Sequence, residues 1–236
     1  MVEGKRGFEI IQKALNEGRN FLMEDEAKAL CKIYNIPTTE VKVAKSEDEA
    51  VKYAREIGYP VVLKIVSPDV IHKSDVGGVM LNIDSDEKVK EAYSKIISNV
   101  KKHKPDAKIV GVIIQEMAQP STEVIVGLIK DQQFGPTVMF GLGGVFVEIL
   151  KDVSFRVCPI TELDAREMIS EIKGYPILKG YRNYPPADID TIVKILLNVS
   201  DMAMDHPEIS EMDLNPILVY EKGAKVVDAR VILAKS

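Results

Sequence analysis

One histidine in the stretch SPDVIHKSDVGG, residues 67–78, stands just past a buried-looking strand. Ahead of it runs Val61-Val62-Leu63-Lys64-Ile65-Val66; Lys73 and Asp75 lie beside it and Gly77-Gly78 close the loop. An unperturbed imidazole has a pKa of about 6.5 and is largely neutral and nucleophilic near pH 7, and a histidine of this kind can accept a phosphoryl group on nitrogen. Asp75 is close enough in sequence to orient the ring by accepting its second N–H. Gly77 and Gly78 let the backbone approach a ligand and take up positive φ. Their N–H groups, with Lys73, could hold phosphate oxygens. The same residues also suit an ordinary surface turn, and spacing alone leaves both readings open. Of the other two histidines, His103 in KKHKPD reads as solvated and His206 in DHPE as a turn residue.

Four further clusters carry chemistry. Lys64 is a charge inside an apolar strand, so it either reaches a phosphate in a cleft or lies on a solvated face. In IIQEMAQPSTEVIVG, a strand runs into Gln115-Glu116-Met117-Ala118 before Pro120, and Glu123 opens the next strand. A strand end of this kind can read an adenine edge with its backbone; an ordinary hairpin is the alternative. FGLGGVFVEILKD offers Gly141, Gly143 and Gly144, then Glu148 and Asp152. Finally, EMDLNPILV and VVDAR bring Asp213, Asn215 and Asp228, hard oxygen donors suited to Mg²⁺. Asp213 and Asn215 are two apart and share a strand face. No GxxxxGK[ST], GxGxxG, GxSxG, HExxH or paired CxxC occurs, which argues against Walker, Rossmann, hydrolase-elbow and zinc sites.

The elements that must position these residues follow from pattern. FEIIQKALNEG and EDEAKALCKIYNIP read as helices, TTEVKVA as a strand, and Ser46 with Glu49 as a capping box. PVVLKIV and GVMLNI read as strands, and Asp84 with Glu87 caps a helix to about Lys102. KIVGVIIQEM, TEVIVGLIKD and GPTVMFG are successive strands with short links, expected to pair antiparallel. FRVCPI, two helices and a hairpin turning at Lys222-Gly223 complete the chain. The expected organisation is an N-terminal helix (1–20), a first lobe (21–108) and a second lobe (109–236). The fold class is α+β, with α/β alternation in the first lobe.

Composition narrows the setting. The 236 residues are 46% hydrophobic and 28% charged with a net charge of −5, ordinary for a globular protein and unsuited to non-specific nucleic-acid binding. No apolar run approaches the roughly 20 residues of a membrane span, and MVEGKRGFEI lacks a signal-peptide core, so the expected setting is cytoplasmic. Cys31 and Cys158 read as small buried side chains. Abundant Lys, Glu and Ile without Trp lean toward a thermophile.

Taken together, YPVVLKIVSPDVIHKSDVGGV, VMFGLGGVFVEILKDVSFR and EMDLNPI with VVDAR resemble the ATP-grasp superfamily. More narrowly, the chain resembles the β subunits of ADP-forming acetyl-CoA synthetases over nearly its whole length. The resemblance implies an ATP-grasp fold, two α+β lobes gripping a nucleotide. It implies an acid–CoA ligase that interconverts acyl-CoA, ADP and phosphate with acid, ATP and CoA. A separate CoA-binding α subunit forms an acyl phosphate, and the phosphoryl group travels on histidine to ADP. Carried over by position, His72 belongs to that relay, and Lys64 contacts the phosphates. Lys28 sits where a family lysine lies, which puts it among the expected nucleotide-binding residues. Glu116, Met117 and Ala118 form the adenine hinge and Glu123 faces the nucleotide. Asp213, Asn215 and Asp228 hold Mg²⁺, and Arg230 is near enough to reach a phosphate. The family also implies an α2β2 heterotetramer. Two other functions remain open on the sequence: a stand-alone ATP-grasp carboxylate ligase without a phosphohistidine, and a non-catalytic nucleotide-binding subunit.

Overall fold

Ile11 and Ala14, three residues apart on helix α1 (Val2–Asn16), are wholly buried, and Gly18 ends that stretch at φ +74°. The computed structural model describes residues 2–70, 72–144, 151–182 and 185–234. After α1 come strand β1 (Phe21–Leu22) and helix α2 (Glu24–Ile33). Arg19 clasps Glu26 through contacts of 2.8 and 3.0 Å, and Lys13 reaches the same carboxylate at 3.0 Å, tying α1 to the start of α2.

The chain then enters a second unit, residues 39–119. It contains β2 (Val41–Ala44), α3 (Glu47–Ile57), β3 (Val61–Val66), a 3₁₀ turn (Ser74–Val76), β4 (Val79–Ile83), α4 (Asp86–His103) and β5 (Gly111–Glu116). The four strands form an antiparallel sheet in the order β2-β5-β3-β4. Val61, Leu63 and Ile65 pack with Ala50 and Ala54 of α3 and Val89, Ala92, Ile96 and Val100 of α4. Ser46 caps α3 by accepting the Glu49 N–H, as its spacing predicts. The cap of α4 is Ser85, one residue later than the expected Asp84. Asp84 instead pairs with Lys88, and the Ser85 hydroxyl has the reach to accept the Lys88 N–H.

The first unit resumes at residue 120. It holds β6 (Thr122–Asp131), β7 (Gly135–Leu142), β8 (Val153–Val157), α5 (Glu162–Glu171), α6 (Tyr175–Leu178), α7 (Ile189–Asp205), β9 (Ile209–Val219), β10 (Ala224–Val226) and β11 (Ala229–Leu233). A seven-stranded antiparallel sheet runs β1-β11-β9-β6-β7-β8, with β10 on β9. Its inner face packs on α1, α2, α5 and α7 through residues such as Phe140, Leu214, Leu30, Met168 and Leu196.

Two expectations are corrected. The seam does not fall near residue 108, nor do residues 21–38 join the first lobe: 1–38 group with 120–236, and 39–119 stand as the other unit. The cause is β5. Val112, Ile113 and Ile114 are all buried, as in a central strand, and β5 finds its two neighbours in β2 and β3 rather than in β6. The short link to β6 is therefore a crossing between units, not a hairpin. β6 and β7 do pair as expected, Val126 opposite Phe140. Among the described residues no helix is long and apolar enough to cross a membrane.

Candidate functional site

In the unit of residues 39–119, strand alternation decides Lys64. Its neighbours Leu63 and Ile65 face the helices, so Lys64 faces the other side of the sheet with Val62 and Val66. It lies opposite Ile113 on β5 and Val79 on β4 and is 7% exposed. The solvated-face reading is thereby removed. Gln115, on the same sheet face two residues along β5, is also buried.

His72 follows on an exposed loop. Val70 and Val76, on either side of it, are buried in the core beneath α3 and α4. The glycines that close the loop serve a different end from the expected phosphate cradle. Gly77 takes φ +62°, and its N–H donates to the Ser74 carbonyl at 3.0 Å. The Gly78 N–H donates to the Lys73 carbonyl at 2.8 Å, and Gly78's own carbonyl accepts the Ile65 N–H at 2.8 Å. Both donors are thus spent inside the loop, so Gly77 and Gly78 cannot offer them to a nucleotide in this conformation. A Cβ at Gly78 would come 2.7 Å from Ile65 Cγ2 and 2.9 Å from the Lys73 carbonyl. Glycine is needed there because the loop folds back onto β3. The expected Asp75–His72 hydrogen bond is not formed either: both side chains are exposed and neither has a polar partner among the described residues.

The hinge at the end of β5 is partly committed. The Glu116 N–H donates to the Glu40 carbonyl at 3.1 Å, and the Met117 N–H to the Pro60 carbonyl at 3.3 Å. Among the described residues the Ala118 N–H meets no acceptor. Of the three residues expected to form a hinge, Ala118 is the one whose N–H is left open among the described residues.

In the other unit, Lys28 departs from its expected role. It is wholly buried on α2, with Nζ 3.2 Å from Glu24 Oε1, one helical turn earlier. A buried ammonium needs such a partner, and this arrangement makes Lys28 part of the core. Glu123 is exposed at the start of β6, opposite Leu218 of β9. Gly143 follows β7 close against it, its N–H donating to the Glu123 carbonyl at 2.8 Å, and a Cβ there would lie 2.9 Å from Glu123 Cβ. Asp152 is a structural staple, accepting the Lys173 and Gly174 N–H groups at 2.8 and 2.7 Å. Glu148 lies outside the described residues.

Asp213 lies on β9 between Met212 and Leu214, which face the core, so it points to the outer face of the sheet. Arg230 is its partner in register on β11, and Gly127 its partner on β6. Asp213 and Arg230 line a shallow cleft of about 290 Å³ with Gly127, Met139, Phe155 and Ile232. The Asn215 N–H donates to the Asp228 carbonyl at 3.2 Å, which draws Asp228 to the same stretch of β9. Loss of hydration, then the charge of Asp228, push the Asp213 carboxyl above its usual range, while Arg230 opposes them. Two carboxylates that repel each other beside a side-chain amide are a donor set that fits Mg²⁺, with waters and phosphate completing its shell. Among the described residues no group of three or more His, Cys, Asp and Glu side chains suited to a metal occurs.

Sequence reasoning missed two features. Asn99 on α4 reaches the His72 loop, donating from Nδ2 to the Gly77 carbonyl at 3.0 Å. His206, expected as a turn residue, follows α7 and is buried, and its Nε2 lies 3.0 Å from the Tyr34 hydroxyl. Neither carries a local signal, because their partners lie 22 and 172 positions away.

Residues 13–233 match the model of the ATP-grasp domain, and the chain belongs to the ATP-grasp family. Within that family it stands with the β subunits of ADP-forming acetate–CoA ligases. It is 58% identical over 225 residues to the β subunit of acetate–CoA ligase [ADP-forming] I of Pyrococcus furiosus, covering 95% of this chain and 97% of that one. It is 50% identical over 234 residues to acetate–CoA ligase [ADP-forming] I of Archaeoglobus fulgidus, covering 99% of this chain but 34% of that longer one. Among solved structures, acetyl-coenzyme A synthetase 1 of Ca. Korarchaeum cryptofilum matches with a TM-score of 0.86 at 50% identity, covering 97% of this chain and all of that one. That structure holds coenzyme A and Mg-AMPPCP, with a phosphohistidine segment pointing towards the nucleotide binding site.

Proposed function

We propose that this chain is the nucleotide-binding β subunit of an ADP-forming acyl-CoA synthetase and that His72 carries the phosphoryl group to and from ADP. The observation that carries the reading is an exposed histidine, without a polar partner among the described residues, on a loop whose flanks Val70 and Val76 are buried. It occurs in a chain 58% identical to a β subunit of such a ligase. A phosphoryl carrier must meet donor and acceptor in turn, so a ring left open suits it.

In the direction of ATP synthesis, a phosphorylated His72 gives its phosphoryl group to the terminal oxygen of ADP. The N–P bond breaks as the new P–O bond forms, and the electron pair returns to the imidazole nitrogen. Such a transfer needs little more than alignment and neutralised charge. Lys64 supplies an ammonium on the nucleotide side. The Ala118 N–H reads the adenine edge beside Glu116 and Met117, and Glu123 faces the nucleotide. Asp213, Asn215 and Asp228 would hold Mg²⁺, which when bound offsets the phosphate charge, and Arg230 adds a second cation. Lys28 has a structural role instead, and Gly77 and Gly78 shape the loop. The partner is a CoA-binding α chain, assembled as α2β2. The Archaeoglobus relative supports the need for a partner chain, because this chain matches only a third of it.

His72→Asn in the assembled ligase tests the reading. ADP phosphorylation from acyl-CoA and phosphate should fall by about 10³-fold or more, with ADP affinity kept. Wild-type turnover by that variant would remove His72 from the path.

A further inference from the structure

The loop that carries His72 has two feet, and both rest on helix α4 and the segment that follows it. At the far foot, Asn99 Nδ2 donates to the Gly77 carbonyl at 3.0 Å. The fit is close: a Cβ at Gly77 would lie 2.7 Å from that nitrogen. At the near foot, Lys104 Nζ donates to the Asp69 carbonyl at 2.6 Å, and the Lys108 N–H to Asp69 Oδ2 at 2.7 Å. Ser67 Oγ accepts the Asp69 N–H at 3.2 Å. Between the feet, neither His72 nor Asp75 has a polar partner among the described residues. The ring's position is therefore set by how the feet are held rather than by contacts of its own.

We propose that Asn99 is a positioning residue for phosphoryl transfer at His72, fixing the far foot while Asp69, held by Lys104 and Lys108, fixes the near one. This rests on His72 as the phosphoryl carrier. Because both feet share one mount, they hold the span between them at a constant distance, and His72 samples a narrow arc. In the direction from ATP, the imidazole nitrogen forms its bond to the γ-phosphorus as the bridging P–O bond breaks, ADP keeps that electron pair, and the second ring N–H proton is lost to water. Such in-line displacement tolerates little misplacement: a shift of about 1 Å can cost on the order of 100-fold in rate. The Asn99 amide is well placed to matter because it acts on a carbonyl, and no other hydrogen bond to the Gly77 carbonyl occurs among the described residues.

The test uses the full chain in single-turnover rapid quench with Mg-[γ-³²P]ATP. Asn99→Asp removes the donor at constant shape, and Asn99→Leu removes it without adding charge. Both should form the histidine label about 10- to 100-fold more slowly than wild type. Nucleotide Kd should stay within about twofold, and amide exchange at Gly77 and Gly78 should quicken. Labelling at the wild-type rate in both variants overturns the proposal. So does slow labelling accompanied by an equal loss of nucleotide affinity or by a large drop in Tm, which would mark Asn99 as a residue of general stability. A wild-type chain that takes no label at His72 is a separate result: it refutes the carrier reading itself, and this inference falls with it.

Discussion

Lys28 Nζ sits 3.2 Å from Glu24 Oε1 on the same face of α2, and neither side chain meets solvent to any useful extent, at 0% and 2% exposure. The pair bears on function because family position alone would send Lys28 to the nucleotide. Removing one partner of a buried pair leaves the other charged and unsolvated, at a cost of about 3–5 kcal/mol. Lys28→Met should therefore lower Tm by roughly 10 °C, given about 2–4 °C per kcal/mol in a chain of this size. The double variant Glu24→Gln, Lys28→Met should recover most of that loss. Calorimetry on the three proteins decides it. A single variant with unchanged Tm and lost nucleotide binding would return Lys28 to the site.

His206 makes stability depend on mild acid. Tyr34 gives its one hydroxyl proton to Asp205 Oδ2 at 2.8 Å, so the 3.0 Å contact with His206 is a donation from Nε2–H to the Tyr34 oxygen. Burial holds the ring's pKa below the ordinary 6.5, against the opposing charges of Glu208 and Asp205. The folded state thus favours the neutral ring. Its contribution is complete above pH 6.5 and is lost as pH falls through the lower, folded value. Urea midpoints should decline from pH 7 to pH 5 in the wild type and decline less in His206→Gln. Parallel slopes for the two proteins would contradict this account.

Asp213 should show a trade between stability and binding. Desolvation and then the charge of Asp228 raise its pKa, with Arg230 opposing them, on a side chain that is exposed on the outer face of the sheet. Asp213→Asn relieves that repulsion. We expect the variant's Tm without nucleotide to equal or exceed that of the wild type, while Mg²⁺-nucleotide binding weakens by about tenfold or more. Titration calorimetry with and without Mg²⁺ provides the comparison. Undiminished Mg²⁺-dependent binding would exclude Asp213 from the metal set.

The sequence made the local elements legible where the signal was local. The Ser46–Glu49 cap, the apolar alternation of β3 and the turn at Gly223 needed only neighbours a few positions away. It failed where partners were distant. β5 looked like the first strand of a meander, yet its buried residues on both faces required β2 and β3 as neighbours, and this moved the boundary between units. The candidate site divides in the same way. Asp213 and Asn215 could be placed on one strand face from their spacing. The alignment of Arg230 with Asp213, and the use of the Gly77 and Gly78 N–H groups inside their own loop, follow from register and backbone path that no short window contains. A Gly-Gly pair reads alike whether it cradles a phosphate or lets a loop fold back on a strand.

The central claim is that His72 bears the phosphoryl group. Incubating the full chain with Mg-[γ-³²P]ATP and mapping the label by proteolysis tests it most directly. With His72 as the carrier, acid-labile, base-stable label appears on the peptide containing His72, is discharged to ATP on adding ADP and is absent from His72→Asn. Label of that kind on a peptide without His72, or undiminished in His72→Asn, would contradict it.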